Sequence, residues 1–199
     1  WHTPLKYISD PVSTSFDSNI DTVQFPSETL SRGAGDCDDL TVLLASLFES
    51  VGLATVIITS PGHVFLGVES GSLAGGNVIF NLPKSLFVEV DGALFIPVEA
   101  TAIGSSFAEA WLKAADIVKN SANSISAFRT REAWKSYPVT SVNADKVSLN
   151  FVEPKEEIVK NVLADVRKSY KDKAPVWAEI IYKSKMEHKN PDIKPESLS

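Results

Sequence analysis

Cys37 is the only cysteine in the chain, and it stands in "GAGDCDDL", a glycine-rich turn that runs through acids into an apolar stretch. A thiolate attacks carbonyl carbon readily and a thiol does not. A helix N-terminus favours the anion, because its first N–H groups are unpaired and carry partial positive charge. The same N–H groups can receive an oxyanion. Asp36, Asp38 and Asp39 work in the other direction, since nearby negative charge raises a thiol pKa. Something positive has to offset them, either a protonated histidine or a bound cation.

Three histidines are available. His2 is near the N-terminal end and His188 lies in a polar tail, whereas His63 follows "SPG" at the start of a strand pattern. A strand that packs on the Cys37 helix brings an imidazole to the thiol. A Cys–His pair then uses an acid that accepts the second ring N–H and orients the imidazole. Glu99 in "FIPVEAT" stands at a fitting place on a following strand. Asp91 competes with it, but belongs to an Asp-Gly pair that a turn explains. Gln24 precedes Cys37 and has a side-chain amide that can complete an oxyanion hole; a plain loop glutamine is the simpler reading.

The elements that must position these residues follow from pattern. Leu40, Leu43, Leu44, Leu47, Phe48 and Val51 recur at helical spacing, with Asp36 as N-cap and Gly52 just past the end. "PSETLSRG" before it reads as a short helix with Pro26 near its start and Gly33 at its end. "LATVIITS" and "HVFLGVE" are β-branched runs joined by Pro61-Gly62. "NVIFNL", "LFVEV" and "ALFIPVEA" supply up to three more strands, with Asp91-Gly92 as a hairpin turn. One buried helix followed by a largely antiparallel meander is an α+β pattern.

Helix patterns follow. "SSFAEAWLKAADIVKNS" reads as a surface helix capped by Ser105 or Ser106 and supported by Glu109. The part from Arg129 to Trp134 reads as a turn of helix ended before Pro138. Ile158, Val162, Leu163 and Val166 form a stripe after Pro154, and "VWAEIIYKSKMEHK" continues as helix beyond Pro175. Residues 151–199 are therefore expected to form a helical extension, a linker to a further module, or a docking element for a partner protein. The tryptophans Trp111, Trp134 and Trp177 sit in helical patterns and are expected in the core. The first thirty residues, broken by Pro4, Pro11 and Pro26, read as irregular.

Composition narrows the function class. A chain of 199 residues can bury a substantial core. A net charge of −6 argues against a nucleic-acid footprint. No apolar run approaches a membrane span. A single cysteine excludes an internal disulfide and a zinc site of the Cys-x-x-Cys kind. The chain starts at Trp1 without a signal-peptide pattern, and is expected to be a processed piece of something longer, with a lean towards an extracytoplasmic (periplasmic or secreted) location.

Taken in order, "QFPSETLSRGAGDCDDLTVLLASLFESVGL", "PGHVFLGVE" and "FIPVEAT" resemble the transglutaminase-like superfamily of papain-like cysteine proteases, in its bacterial type. The resemblance covers roughly residues 20 to 102 and rests on three ordered motifs. It implies a papain-like fold, with the cysteine helix packed on an antiparallel sheet and residues 1–150 as the catalytic domain. It implies a Cys37–His63–acid triad, with Glu99 standing where the family usually has Asp. The implied activity is hydrolysis of protein or peptide amide bonds through a thioester, giving proteolysis or deamidation, or cross-linking where an amine replaces water. A protein or peptide is the implied substrate, and no cofactor is required. In one bacterial branch, acids beside the nucleophile bind calcium, which here points to Asp36 and Asp38. The alternative is a non-catalytic module of the same fold that binds a partner protein.

Overall fold

Asp36 turns an extended segment into helix α2, Cys37–Ser50. Its carboxylate accepts the Asp39 N–H at 3.2 Å, and the Asp39 carboxylate accepts the Asp36 N–H at 3.3 Å. This capping box satisfies donors that the helix start otherwise leaves open. A Cβ on Gly35 would lie 2.6 Å from the Asp39 Cβ, so only glycine lets the chain pass this close to the cap. Helix α1, Pro26–Arg32, comes just before, with proline in its first turn and Gly33 in the left-handed region at its end. Two short strands, β1 (Lys6–Tyr7) and β2 (Ala34–Gly35), pair in parallel beside it.

The computed structural model describes residues 5–9, 22–73, 84–121, 123–137, 155–168 and 171–172. The chain divides into two compact units, Trp1–Asn77 with Ser85–Asn150, and Val78–Lys84 with Phe151–Ser199. Among the described residues of the first unit, five strands form an antiparallel sheet: β3 (Thr55–Ser60), β4 (His63–Leu73), β5 (Val88–Val90), β6 (Ala93–Val98) and β7 (Ser126–Arg129). Their order is β5-β6-β4-β3-β7, which puts the longest strand, β4, at the centre. The class is thus mixed α and β with an antiparallel sheet.

The β3–β4 hairpin turns at Pro61-Gly62, with Ser60 opposite His63. Proline holds its φ negative and Gly62 takes φ +70°, the combination of a type II turn. Asp91-Gly92 closes the β5–β6 hairpin, with Val90 opposite Ala93.

Strand alternation divides the core into two parts. Leu66 and Val68 of β4 pack with Leu40 and Leu44 of α2, Val98 of β6 and Ala110. Phe65 of β4 packs with Val56 and Ile58 of β3, Phe95 of β6 and Ala114. Leu40 and Phe65 are both fully buried, and each such side chain contributes about 1.5–3 kcal/mol by leaving water. Gly67 permits this closure, because a Cβ there would sit 2.7 Å from Val56 Cγ2. Helix α2 is therefore pressed against the central strand by its apolar stripe.

Helix α3, Phe107–Asn120, begins at Ser106 with the expected Ser106–Glu109 capping box. It is not a mere surface helix: Ala108, Ala110, Trp111, Ala114 and Ala115 are buried. Small residues let it approach the sheet closely, and the Trp111 indole N–H donates to the Leu86 carbonyl at 2.6 Å.

Several expectations are corrected. Residues 126–129 form strand β7 against β3, and the helix α4 occupies Thr130–Ser136. Trp134 on α4 is 43% exposed rather than core. This short helix lies at the sheet edge beside β3 and β7, and among the described residues its Trp134 is left open. Residues 6–7 form the β1 strand in a stretch read as irregular. The "NVIFNL" strand, Trp177 and the helix expected beyond Pro175 lie outside the described residues. In the second unit, residues 156–168 are helical, as the stripe after Pro154 predicts. Ile158, Leu163 and Val166 on that stripe are exposed. Among the described residues, no helix is long and apolar enough to cross a membrane.

Candidate active site

His63 opens β4, and Glu99 follows the last residue of β6. These strands are antiparallel neighbours, with Leu66 opposite Val98. The ladder ends at that pair, and Glu99 comes directly after it, where the chain leaves β6 in a turn. His63 Nε2 lies 2.7 Å from Glu99 Oε2.

The carboxylate is almost wholly enclosed, with Glu99 2% exposed. Its second oxygen, Oε1, accepts the Thr101 N–H at 2.9 Å and the Thr101 hydroxyl at 2.7 Å. Burial pushes the Glu99 carboxyl up, but the Thr101 hydroxyl, His63 and the Thr101 amide together hold it below the ordinary range. The group is ionised at neutral pH and accepts the Nε2 proton of the imidazole. In the neutral ring, Nδ1 is then the basic nitrogen.

Cys37 occupies the first turn of α2 and is partly buried. The backbone amides of Val64, one residue beyond His63, and of Asp38 at the helix start each favour the Cys37 thiolate. One turn on, the Thr41 hydroxyl donates to the Val64 carbonyl at 3.3 Å. The start of β4 is thus stitched to the start of α2, and His63 lies at that junction. Burial pushes the Cys37 thiol above its ordinary pKa, and Asp36 and Asp38 add to this. The two amides offset the rise only in part. The resting group at neutral pH is the thiol.

Asp36, Asp38 and Asp39 gather their carboxylate oxygens within 4.8 Å of one another. Asp36 and Asp39 are engaged in the capping box. Asp39 also accepts the Gln24 backbone N–H at 2.6 Å and the Gln24 side-chain amide. Gln24 thus ties the segment before α1 to the cap, and its Nε2 spends a donor there rather than on an oxyanion. Calcium takes six to eight oxygens. Capping accounts for Asp36 and Asp39, and Asp38 lies beside them in the first turn of α2.

Asp91 is at the far end of β6 from Glu99, separated by a six-residue strand, about 20 Å at the usual rise per residue. It accepts from Arg129 Nε at 3.1 Å. The tertiary structure therefore joins Glu99, not Asp91, to His63.

Sequence reasoning missed Thr101, although "EAT" carries a hydroxyl two residues after the acid, the spacing at which a side chain folds back on its own turn. It also missed Glu49, a buried carboxylate that accepts from the Thr55 N–H at 2.6 Å and from Arg131 Nε at 2.6 Å. No local signal announces that pair, because its members are far apart in the chain. No family model, no curated protein and no solved structure matches the chain.

Proposed function

We propose that the first unit is a transglutaminase-like cysteine hydrolase with a papain-like core, acting on amide bonds of protein or peptide. The observation that carries this is the buried Glu99 carboxylate held 2.7 Å from His63 Nε2, at the strand start stitched to the Cys37 helix. Cys37 Sγ attacks the amide carbonyl, and His63 Nδ1 takes the thiol proton as the bond forms. The raised thiol pKa favours proton transfer during attack over a preformed ion pair. The tetrahedral intermediate expels the amine, which takes the proton back from His63, and a Cys37 thioester remains. Water, deprotonated by His63, then releases the acid and restores the thiol. Water as acceptor gives proteolysis or deamidation, and an amine as acceptor gives cross-linking. The helix-start N–H of Cys37 supplies a donor for the oxyanion. No cofactor takes part.

The test is acylation of Cys37. The protein is mixed with p-nitrophenyl esters and with glutamine-containing peptides, and intact mass is followed together with release of nitrophenol, ammonia or peptide fragments. Acylation at Cys37, faster than at a free thiol and lost in His63→Ala, is the expected result. Acylation no faster than that of a free thiol would refute the enzyme reading. It would favour a non-catalytic module of the same fold that binds a partner protein, a reading to which the raised thiol pKa lends support.

A further inference from the structure

We infer that Thr101 is a positioning residue for the proposed triad: its hydroxyl and amide pin one oxygen of Glu99 so that the other is presented to His63. This rests on the functional reading above and adds a fourth member to the site.

A carboxylate on a glutamate can rotate about its last bond, and either oxygen can face a partner. Here Oε1 receives two bonds from Thr101, at 2.9 Å from the amide and 2.7 Å from the hydroxyl. Oε2 faces His63 alone among the described hydrogen bonds. Rotation of the carboxylate would break both Thr101 bonds inside a nearly waterless site, where an unmade bond to a charge is costly. The direction of the Thr101 hydroxyl is itself fixed. Lys113 Nζ lies 3.4 Å from Thr101 Oγ1, and an ammonium can only donate. Thr101 Oγ1 must accept from Lys113, so its one proton goes to Glu99. The backbone supports this arrangement, because the Glu99 N–H donates to the Ala110 carbonyl of α3 and the Ala102 N–H donates to the Glu99 carbonyl. The titratable groups around Glu99 among the described residues are His63 from β4 and, through Thr101, Lys113 from α3. The ionised state of Glu99, held by the same Thr101 contacts, agrees with this role.

The test is the rate of Cys37 alkylation by iodoacetamide at neutral pH, which needs no substrate. It is measured in wild type, Thr101→Val, Thr101→Ala, Thr101→Ser, Glu99→Gln and the Thr101→Val/Glu99→Gln double variant. Circular dichroism checks each fold, and the Thr101→Ala variant serves if Thr101→Val does not fold. The expected loss on removing the hydroxyl is about three- to tenfold, the range of one hydrogen bond. Thr101→Ser should recover wild-type reactivity, and Thr101→Val should add nothing once Glu99→Gln is present. The carbon-13 titration of the Glu99 carboxyl should move up in Thr101→Val and return in Thr101→Ser. A wild-type rate in both hydroxyl-less variants, with Glu99→Gln slow, overturns the role of Thr101 and leaves the triad standing. A Thr101→Val loss that persists in full on top of Glu99→Gln also overturns it. If Glu99→Gln itself reacts at the wild-type rate, the triad fails, and this inference fails with it.

Discussion

Glu99 touches His63 through one oxygen while the other is occupied by Thr101. The acid is buried and the imidazole is partly open, with side-chain exposures of 1% and 25%. The fixed partner is therefore inside, and the imidazole, the general base of the proposed reaction, reaches the surface. That asymmetry is what an orienting acid and a general base require.

Cys37→Ala and His63→Ala should keep the fold and lose acylation of position 37. Neither side chain belongs to the two apolar clusters that hold the sheet and helices. Circular dichroism and thermal unfolding check the first part, and intact mass after ester exposure checks the second. Normal turnover in Cys37→Ala would remove the nucleophile assignment.

Glu99→Gln should slow acylation by about ten- to a hundredfold, the worth of one hydrogen bond to a charged group. The loss should be smaller than that from His63→Ala, because the imidazole remains present and only its orientation suffers. Asp91→Asn should leave the rate unchanged, since its partner is Arg129 at the opposite end of β6. Single-turnover rates on one ester compare the three variants. Equal rates in Glu99→Gln and wild type, with a loss in Asp91→Asn, would reverse the assignment.

Alkylation of Cys37 should show an apparent pKa above that of a free cysteine, since burial and the Asp36 and Asp38 carboxylates oppose the thiolate. Replacing Asp38 by Asn should lower that midpoint, and His63→Ala should reduce the rate near neutrality. Adding a chelator should change neither, because capping accounts for Asp36 and Asp39. The pH dependence of iodoacetamide labelling reads all three. A midpoint that shifts with chelator would place a cation at Asp36 and Asp38.

Glu49→Ala should destabilise the fold by about 2 kcal/mol, because the Thr55 N–H and hydroxyl lose their acceptor in a buried place. Burial pushes the Glu49 carboxyl up, yet Arg131 and Thr55 bring it below the ordinary range. A depressed folded-state pKa stabilises the fold above the unfolded value and stops doing so as pH falls through the folded value. Wild type should therefore lose stability on acidification below the ordinary carboxylate range, and Glu49→Gln should lose less. Urea unfolding at neutral and acid pH measures the difference. An identical pH slope in the variant would show that Glu49 is not a source of acid sensitivity.

The helix that carries Cys37 was legible in the sequence because its signals are local. Asp36 caps through a residue three places on, the leucines repeat every turn, and Pro61-Gly62 and Asp91-Gly92 each determine a hairpin from within four residues. The tertiary structure decided what those elements meet. Glu99 and Asp91 are both acids near strand ends, and only the β4–β6 register puts one beside His63 and the other at the remote end. Strand β7 forms because β3 offers an open edge, a cause that its own residues do not carry. Gln24 found Asp39 and Glu49 found Arg131 under one rule: a buried carboxylate must be satisfied, and packing rather than spacing along the chain decides by whom; Thr101, by contrast, meets Glu99 within its own turn. The sequence by itself thus determined the Cys37 helix, the His63 turn and the composition of the core. Which acid meets the imidazole follows from long-range pairing, where contact is set by register and burial and not by nearness in sequence.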